Sequence, residues 1–267
     1  MIPETRTVEV DGLRIGYRRA GRGPPLLLLH GAFSDSREWR PQLEGLSEEL
    51  DVIAMDCPGC GASGDPPPGF RVTDYADVVA GFLHALGLEA AHLGGLSFGS
   101  MCALVVYHEH PAVVRSLLLM SAYAGWRGSL PPEEVERRTR WTEAAFATPV
   151  EDWAGDFLRS VYSDAAASLR DEAMGILRDS RPAAFAPVAR AFLPLDLRGM
   201  LPTIDVPTLL VSGELDERSP VPVAADLRAR IPGARMTVIP GAGHGVNGEA
   251  PQDVNRAVLA FLSQLPA

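Results

Sequence analysis

The chain contains no lysine; all 24 of its basic residues are arginine. That absence excludes Schiff-base chemistry and a lysine general base. Cysteine is scarce as well. There are three in 267 residues, an odd count, and a chain this long can bury a core without disulfide staples. Long apolar runs are missing: the longest purely aliphatic one, Leu26 to Leu29, is far too short to span a bilayer. The opening Met1-Ile2-Pro3-Glu4-Thr5-Arg6 lacks the basic segment and apolar core of a secretory signal, so a cytoplasmic location is expected. Surplus positive charge is also absent. A formal net charge of -10 argues against a broad surface for nucleic acid or anionic membrane.

What is present follows an ordered rhythm. Thr7-Val8-Glu9-Val10 and Leu13-Arg14-Ile15-Gly16-Tyr17 alternate across Asp11-Gly12, the pattern of a hairpin with a two-residue turn. Continuous apolar runs then recur, bounded by Gly or Pro: Leu26–Leu29, Val52–Met55, Leu93–Leu96, Leu117–Met120, Leu209–Val211 and Met236–Ile239. Such runs read as strands buried on both faces of a mostly parallel sheet. Helical spacing falls between them, from Thr73 as cap through Leu86, and from Pro251 to about Leu262. Alternating strand and helix predicts an α/β fold, with helices on both faces of the central sheet. From about Gly125 to Leu197 no strand-like run occurs, and helix starts are read at Pro131-Pro132-Glu133-Glu134 and Thr148-Pro149-Val150. The expected organisation is a core of residues 1–124 and 198–267 with a helical cap insert over 125–197.

Gly95-Leu96-Ser97-Phe98-Gly99 fits G-x-S-x-G between a strand-like and a helix-like segment. A serine on that turn projects above the sheet at a helix N-terminus, and the flanking glycines let the backbone pass closely. Serine needs a base, because its hydroxyl is a poor nucleophile at neutral pH. Of six histidines, His84 lies inside a helix, His92 early in a strand, and His108 and His110 at a helix end. His30 leads out of a strand into Gly31 and reads as a structural residue holding that loop. His244 stands in the glycine-rich Pro240-Gly241-Ala242-Gly243-His244-Gly245 after the last strand, where function gathers in an open parallel sheet. The orienting carboxylate should also follow a strand. Asp216 lies beyond the strand in its loop, whereas Glu214 adjoins the strand end and is expected to pack locally. For the oxyanion, the backbone N–H groups of Ala32 and Phe98 are the expected donors, with Phe33 as the alternative to Ala32.

On these residues the chain resembles the α/β-hydrolase superfamily from end to end. Four places carry the resemblance: His30-Gly31, the elbow at Ser97, the paired Asp216 and His244 loops, and Asp56-Cys57-Pro58-Gly59-Cys60-Gly61-Ala62-Ser63, which is similar to the family's D-x-P-G-x-G-x-S loop. In length and style the chain is most similar to small bacterial esterases and lactonases with a helical cap, such as 3-oxoadipate enol-lactonases. The resemblance implies an α/β-hydrolase fold and a serine hydrolase that cleaves a small ester or lactone with Ser97, Asp216 and His244. It implies neither a metal nor a cofactor. Phe33, Trp126, Trp141, Trp153 and Val246 are expected to line the substrate site, and the assembly to be a monomer or homodimer.

Rival readings stay in view. Haloalkane dehalogenases and epoxide hydrolases of this scaffold use an aspartate nucleophile, and Ser97 counts against both. Carbon–carbon bond hydrolases and cofactor-free perhydrolases keep the serine. A peptidase acting on N-terminal proline would want an acidic cluster for the amine, and none is visible. A non-catalytic binding protein or receptor is the rival of another class. Gly59-Cys60-Gly61-Ala62-Ser63-Gly64 satisfies G-x-G-x-x-G, but Asp65-Pro66-Pro67-Pro68 follows where a dinucleotide site needs a helix start. Cys57-Pro58-Gly59-Cys60 satisfies C-x-x-C, yet it too lacks the helix start a redox pair needs, and no second Cys or His pair stands near for zinc.

Overall fold

The computed structural model describes residues 2–265. Strands β1 (Arg6–Val10) and β2 (Leu13–Ala20) form the expected hairpin. Its turn residues Asp11 and Gly12 have φ of 49° and 81°, the left-handed pair that lets a two-residue turn follow the strand twist. Six strands follow: β3 (Pro25–Leu29), β4 (Asp51–Met55), β5 (Ala91–Leu96), β6 (Val114–Met120), β7 (Thr208–Gly213) and β8 (Arg235–Ile239). The sheet order is β1-β2-β4-β3-β5-β6-β7-β8. Strand β2 pairs antiparallel with β4, and every pair from β4 to β8 is parallel.

Ten helices connect and cover this sheet among the described residues: α1 (Arg40–Gly45), α2 (Val72–Ala85), α3 (Phe98–Glu109), α4 (Pro132–Ala147), α5 (Val150–Val161), α6 (Ala167–Asp179), α7 (Pro182–Phe192), α8 (Val221–Arg230), α9 (Val246–Glu249) and α10 (Pro251–Leu262). The period of two along each strand divides the core. Leu27 and Leu29 pack with Val79 and Phe82 of α2 and Leu104 of α3 on one face. Leu26 and Leu28 pack with Leu43 of α1 and Val254 and Val258 of α10 on the other. Apolar side chains cover both faces, so β3 and β4 are buried throughout and show no polar alternation.

Helix α2 is capped at Arg71, two residues before the expected cap Thr73. The Asp74 carboxylate reaches back to accept the Arg71 N–H at 2.7 Å, so the capping role falls to Asp74 rather than to the Thr73 hydroxyl. The interval 125–197 carries α4 to α7 and no strand among the described residues. Phe33, in the loop after β3, ties those helices to the sheet. Its ring meets Trp141, Trp153, Phe157 and Phe185 at centroid distances of 6.1, 5.0, 5.8 and 5.7 Å. No helix among the described residues is long and apolar enough to cross a membrane.

Candidate active site

Strand β5 runs through Gly94 and Gly95 to Leu96, and α3 opens at Phe98. Ser97 turns between them with φ 54° and ψ -108°, a conformation that costs a side chain about 1–3 kcal/mol and persists only where its surroundings enforce it. They do so here. A Cβ at Gly95 would run into the Gly99 carbonyl, and one at Gly99 into the Leu29 carbonyl, so glycine at both positions lets the elbow, α3 and β3 meet. The Ser97 N–H donates to the Met120 carbonyl at 2.9 Å, which fixes the elbow to β6.

Asp216 follows β7 and His244 follows β8; their exposures are 4% and 3%. The two side chains meet, with His244 Nδ1 lying 2.9 Å from each carboxylate oxygen. Oδ1 of Asp216 also accepts the N–H groups of Arg218 and Ser219, at 2.9 and 2.8 Å. Hydroxyl groups hold this pair against the end of β6. Ser121 Oγ donates to the His244 carbonyl at 2.8 Å, and Ser219 Oγ to the Ala122 carbonyl at 2.7 Å.

Burial opposes charge on Asp216, but its electrostatic attraction to the His244 ring, the hydrogen bond from that ring and the Ser219 N–H outweigh it. Its pKa lies below the ordinary carboxylate value. Burial pushes the His244 pKa down, Asp216 offsets only part of that, and the positive charges of Arg218 and Arg138 add to the lowering. At neutral pH the carboxylate is therefore ionised and the imidazole neutral. The carboxylate holds the ring proton on Nδ1, which leaves the lone pair of Nε2 free to act as a base.

Ser97 and His244 both line a cavity of about 50 Å³. The His244 ring hydrogen-bonds Asp216 through Nδ1 and shares no hydrogen bond with the Ser97 hydroxyl in this conformation. A second cavity of about 220 Å³ also borders Ser97, and its wall includes Ala32, Phe33, Trp126 and Trp141. Phe98 joins the same wall, and as the first residue of α3 its N–H has no intrahelical acceptor. The Ala32 N–H likewise has no acceptor among the described residues.

Two residues expected to line the substrate site do not border either cavity. Trp153 lies behind the wall, edge-on to Trp141 at 5.6 Å, with Nε1 donating to the Thr148 carbonyl. Val246 opens α9 with its side chain in the core of the opposite sheet face. Several wall residues carry no signature in the sequence. Phe157 and Phe185 come from α5 and α7, and helical spacing alone cannot tell a lining ring from a supporting one. Arg218 borders both cavities; its place two residues after Asp216 is the one signal that could have found it. Glu38, whose Oε2 accepts the Gly31 N–H at 2.7 Å, borders the smaller cavity.

The remaining motif residues hold loops. His30 Nε2 accepts the Cys57 N–H at 2.9 Å, so its proton is on Nδ1, which faces the Gly31 carbonyl at 2.7 Å. Asp56 accepts the N–H groups of Ser36 and Ala62 at 2.7 and 2.9 Å, and a Cβ at Gly61 would strike its carboxylate. Cys57 and Cys60 are buried free thiols whose pKa values are raised, the first chiefly by burial and the second by the Cys57 thiol and burial. Glu214 accepts the Gly241 N–H at 2.9 Å and so joins the β7 and β8 loops locally.

The chain is similar to known proteins. A 2-(acetamidomethylene)succinate hydrolase of Mesorhizobium japonicum is 28% identical over 97% of this chain and 95% of its own. The structure of a thermophilic esterase from Thermogutta terrifontis, with malate bound, superposes with a TM-score of 0.88 at 25% identity over 98% of both chains. An N-acyl homoserine lactone degrading enzyme matches with a TM-score of 0.78 at 29% identity, over 96% of this chain and 100% of that one. The family model described as alpha/beta hydrolase fold matches residues 24–251, from just before β3 to the start of α10. With the sheet order, the elbow and that match in agreement, the chain belongs to the alpha/beta hydrolase fold family.

Proposed function

We propose that this hydrolase cleaves a carboxylic ester or lactone of a small, partly apolar substrate through an acyl-enzyme on Ser97. One observation carries the reading: the buried His244–Asp216 pair opens on to the same cavity as the strained serine at the elbow. The mechanism requires the Ser97 hydroxyl to reach Nε2 by a rotation about its Cα–Cβ bond. Such rotations take picoseconds to nanoseconds, and catalytic hydrogen bonds often tighten only when substrate is bound.

In this mechanism Ser97 Oγ attacks the acyl carbon while its proton passes to Nε2 of His244. The carbonyl oxygen becomes an oxyanion received by the N–H groups of Ala32 and Phe98. Collapse of that intermediate expels the alkoxide, which takes the proton from Nε2. Water then repeats the sequence on the acyl-enzyme, giving its proton to His244 and releasing the acid and Ser97. Asp216 stays ionised throughout and stabilises the imidazolium. The helices of 125–197 act as a cap over the reacting carbonyl, and their rings shape the larger cavity. The esterase and the lactone-degrading enzyme among the similar structures support an ester or lactone substrate.

The test is Ser97→Ala assayed on 4-nitrophenyl acetate. Turnover is expected to disappear while the circular dichroism spectrum stays that of the parent. Retained turnover refutes the assignment. Esters, lactones and β-diketones assayed side by side assign the bond class.

A further inference from the structure

We propose that the substrate carries a carboxylate and that Arg218 binds it in the larger cavity. The proposal rests on the hydrolytic reading of Ser97 given above.

Four charged side chains border that cavity: Arg137, Arg138, Asp156 and Arg218. Three of them have an ionic partner. Arg137 and Arg138 share Glu134 at 2.7 and 2.5 Å, and Asp156 is paired with Arg159. Arg218 has no carboxylate among the described residues. Its Nη1 donates to the neutral Ser160 hydroxyl at 2.8 Å, and its guanidinium carbon lies 5.2 Å from the centroid of the Phe157 ring. Its Nε is closed off from solvent and has no acceptor. Asp216, two residues earlier, cannot serve, since both its oxygens face His244 and Oδ1 also holds two backbone N–H groups.

An arginine in that state is costly. A buried donor without an acceptor loses its hydration and regains nothing. The Nη groups remain for a carboxylate, whose planar oxygens match the guanidinium fork and add charge-assisted hydrogen bonds to a cation that lacks a counter-ion. The position is as telling as the chemistry. Arg218 and Ser97 border both cavities, so a carboxylate held by Arg218 is within one small molecule's length of the serine. The loop that fixes Asp216 also fixes the Arg218 backbone through its N–H bond to Oδ1, so recognition and orientation share one support.

The experiment compares kcat/KM for 4-nitrophenyl hemiglutarate and 4-nitrophenyl valerate, near-isosteres that differ in a terminal carboxylate. The wild-type ratio is expected to favour the hemiester by at least about tenfold, and R218Q to bring it near unity, with KM bearing most of the change. A wild-type ratio near unity, or one that R218Q leaves unchanged, overturns the proposal. Should R218Q fail to fold, the wild-type protein decides. Glutarate is expected to inhibit valerate ester hydrolysis competitively while 1,5-pentanediol does not, and equal inhibition by the two overturns the proposal. Valerate ester turnover that is lost in Ser97→Ala keeps the hydrolytic reading intact in every one of these outcomes. No turnover of either ester, together with no fluorophosphonate labelling of Ser97, sinks that reading and this proposal with it.

Discussion

Replacing Asp216 with asparagine changes one atom and should disable the site without unfolding it. The hydrogen bonds decide how the new amide must sit. Both oxygens face His244 Nδ1, but Oδ1 also accepts the N–H groups of Arg218 and Ser219, whereas Oδ2 accepts no backbone N–H. The amide oxygen must keep the Oδ1 position, because an NH2 there would oppose two donors. The NH2 therefore points at Nδ1, which can accept it only by giving up its own proton to Nε2. An imidazole protonated on Nε2 has no lone pair for the Ser97 hydroxyl. The loss in kcat is expected to be about 10⁴-fold, or about 5.4 kcal/mol at about 1.36 kcal/mol per factor of ten. The assay is steady-state hydrolysis of 4-nitrophenyl acetate by D216N, with thermal denaturation to show that the fold survives. A folded D216N within about tenfold of the parent kcat would refute the reasoning.

Two further outcomes follow from the same structure. His244 must be neutral to act as a base, and burial lowers its pKa below 6.5; activity should therefore hold as pH falls through 6.5 and be lost only below it. A kcat/KM profile whose acid limb has its midpoint above 6.5 contradicts this. The sign for stability agrees, since the unfolded chain binds a proton at His244 before the folded one does, and stability declines as pH falls below 6.5. Phe33 is 3% exposed and contacts five aromatic rings, so Phe33→Ala should cost about 3–5 kcal/mol. Urea denaturation measures it, and a loss below about 1 kcal/mol would show that the cap does not depend on this ring.

The strands were legible because a parallel sheet buried on both faces demands unbroken apolar runs, and those from Leu26 to Ile239 supplied them. The elbow was legible for a different reason: close backbone approach permits only glycine at 95 and 99. His244 and Asp216 could be named because each follows a strand at the carboxyl edge of the sheet. What the sequence could not show depended on side-chain direction. Trp141 and Trp153 are equally aromatic on neighbouring helices, yet one faces the cavity and the other supports it from behind. Val246 adjoins the histidine loop, but the first turn of α9 directs it into the far core. Arg218 stands in a charged stretch, Glu214-Leu215-Asp216-Glu217-Arg218, where only the fold shows that it lacks a counter-ion. A hydrogen bond from Ser97 to His244 would depend on a rotamer that no pattern specifies.

The most direct test is labelling with a fluorophosphonate followed by peptide mass spectrometry. The native protein is expected to carry one adduct on Ser97, and His244→Asn to lose it together with turnover while remaining folded. A native protein that stays unlabelled, or that carries its adduct on another residue, would contradict the central claim that His244 activates the serine at the elbow.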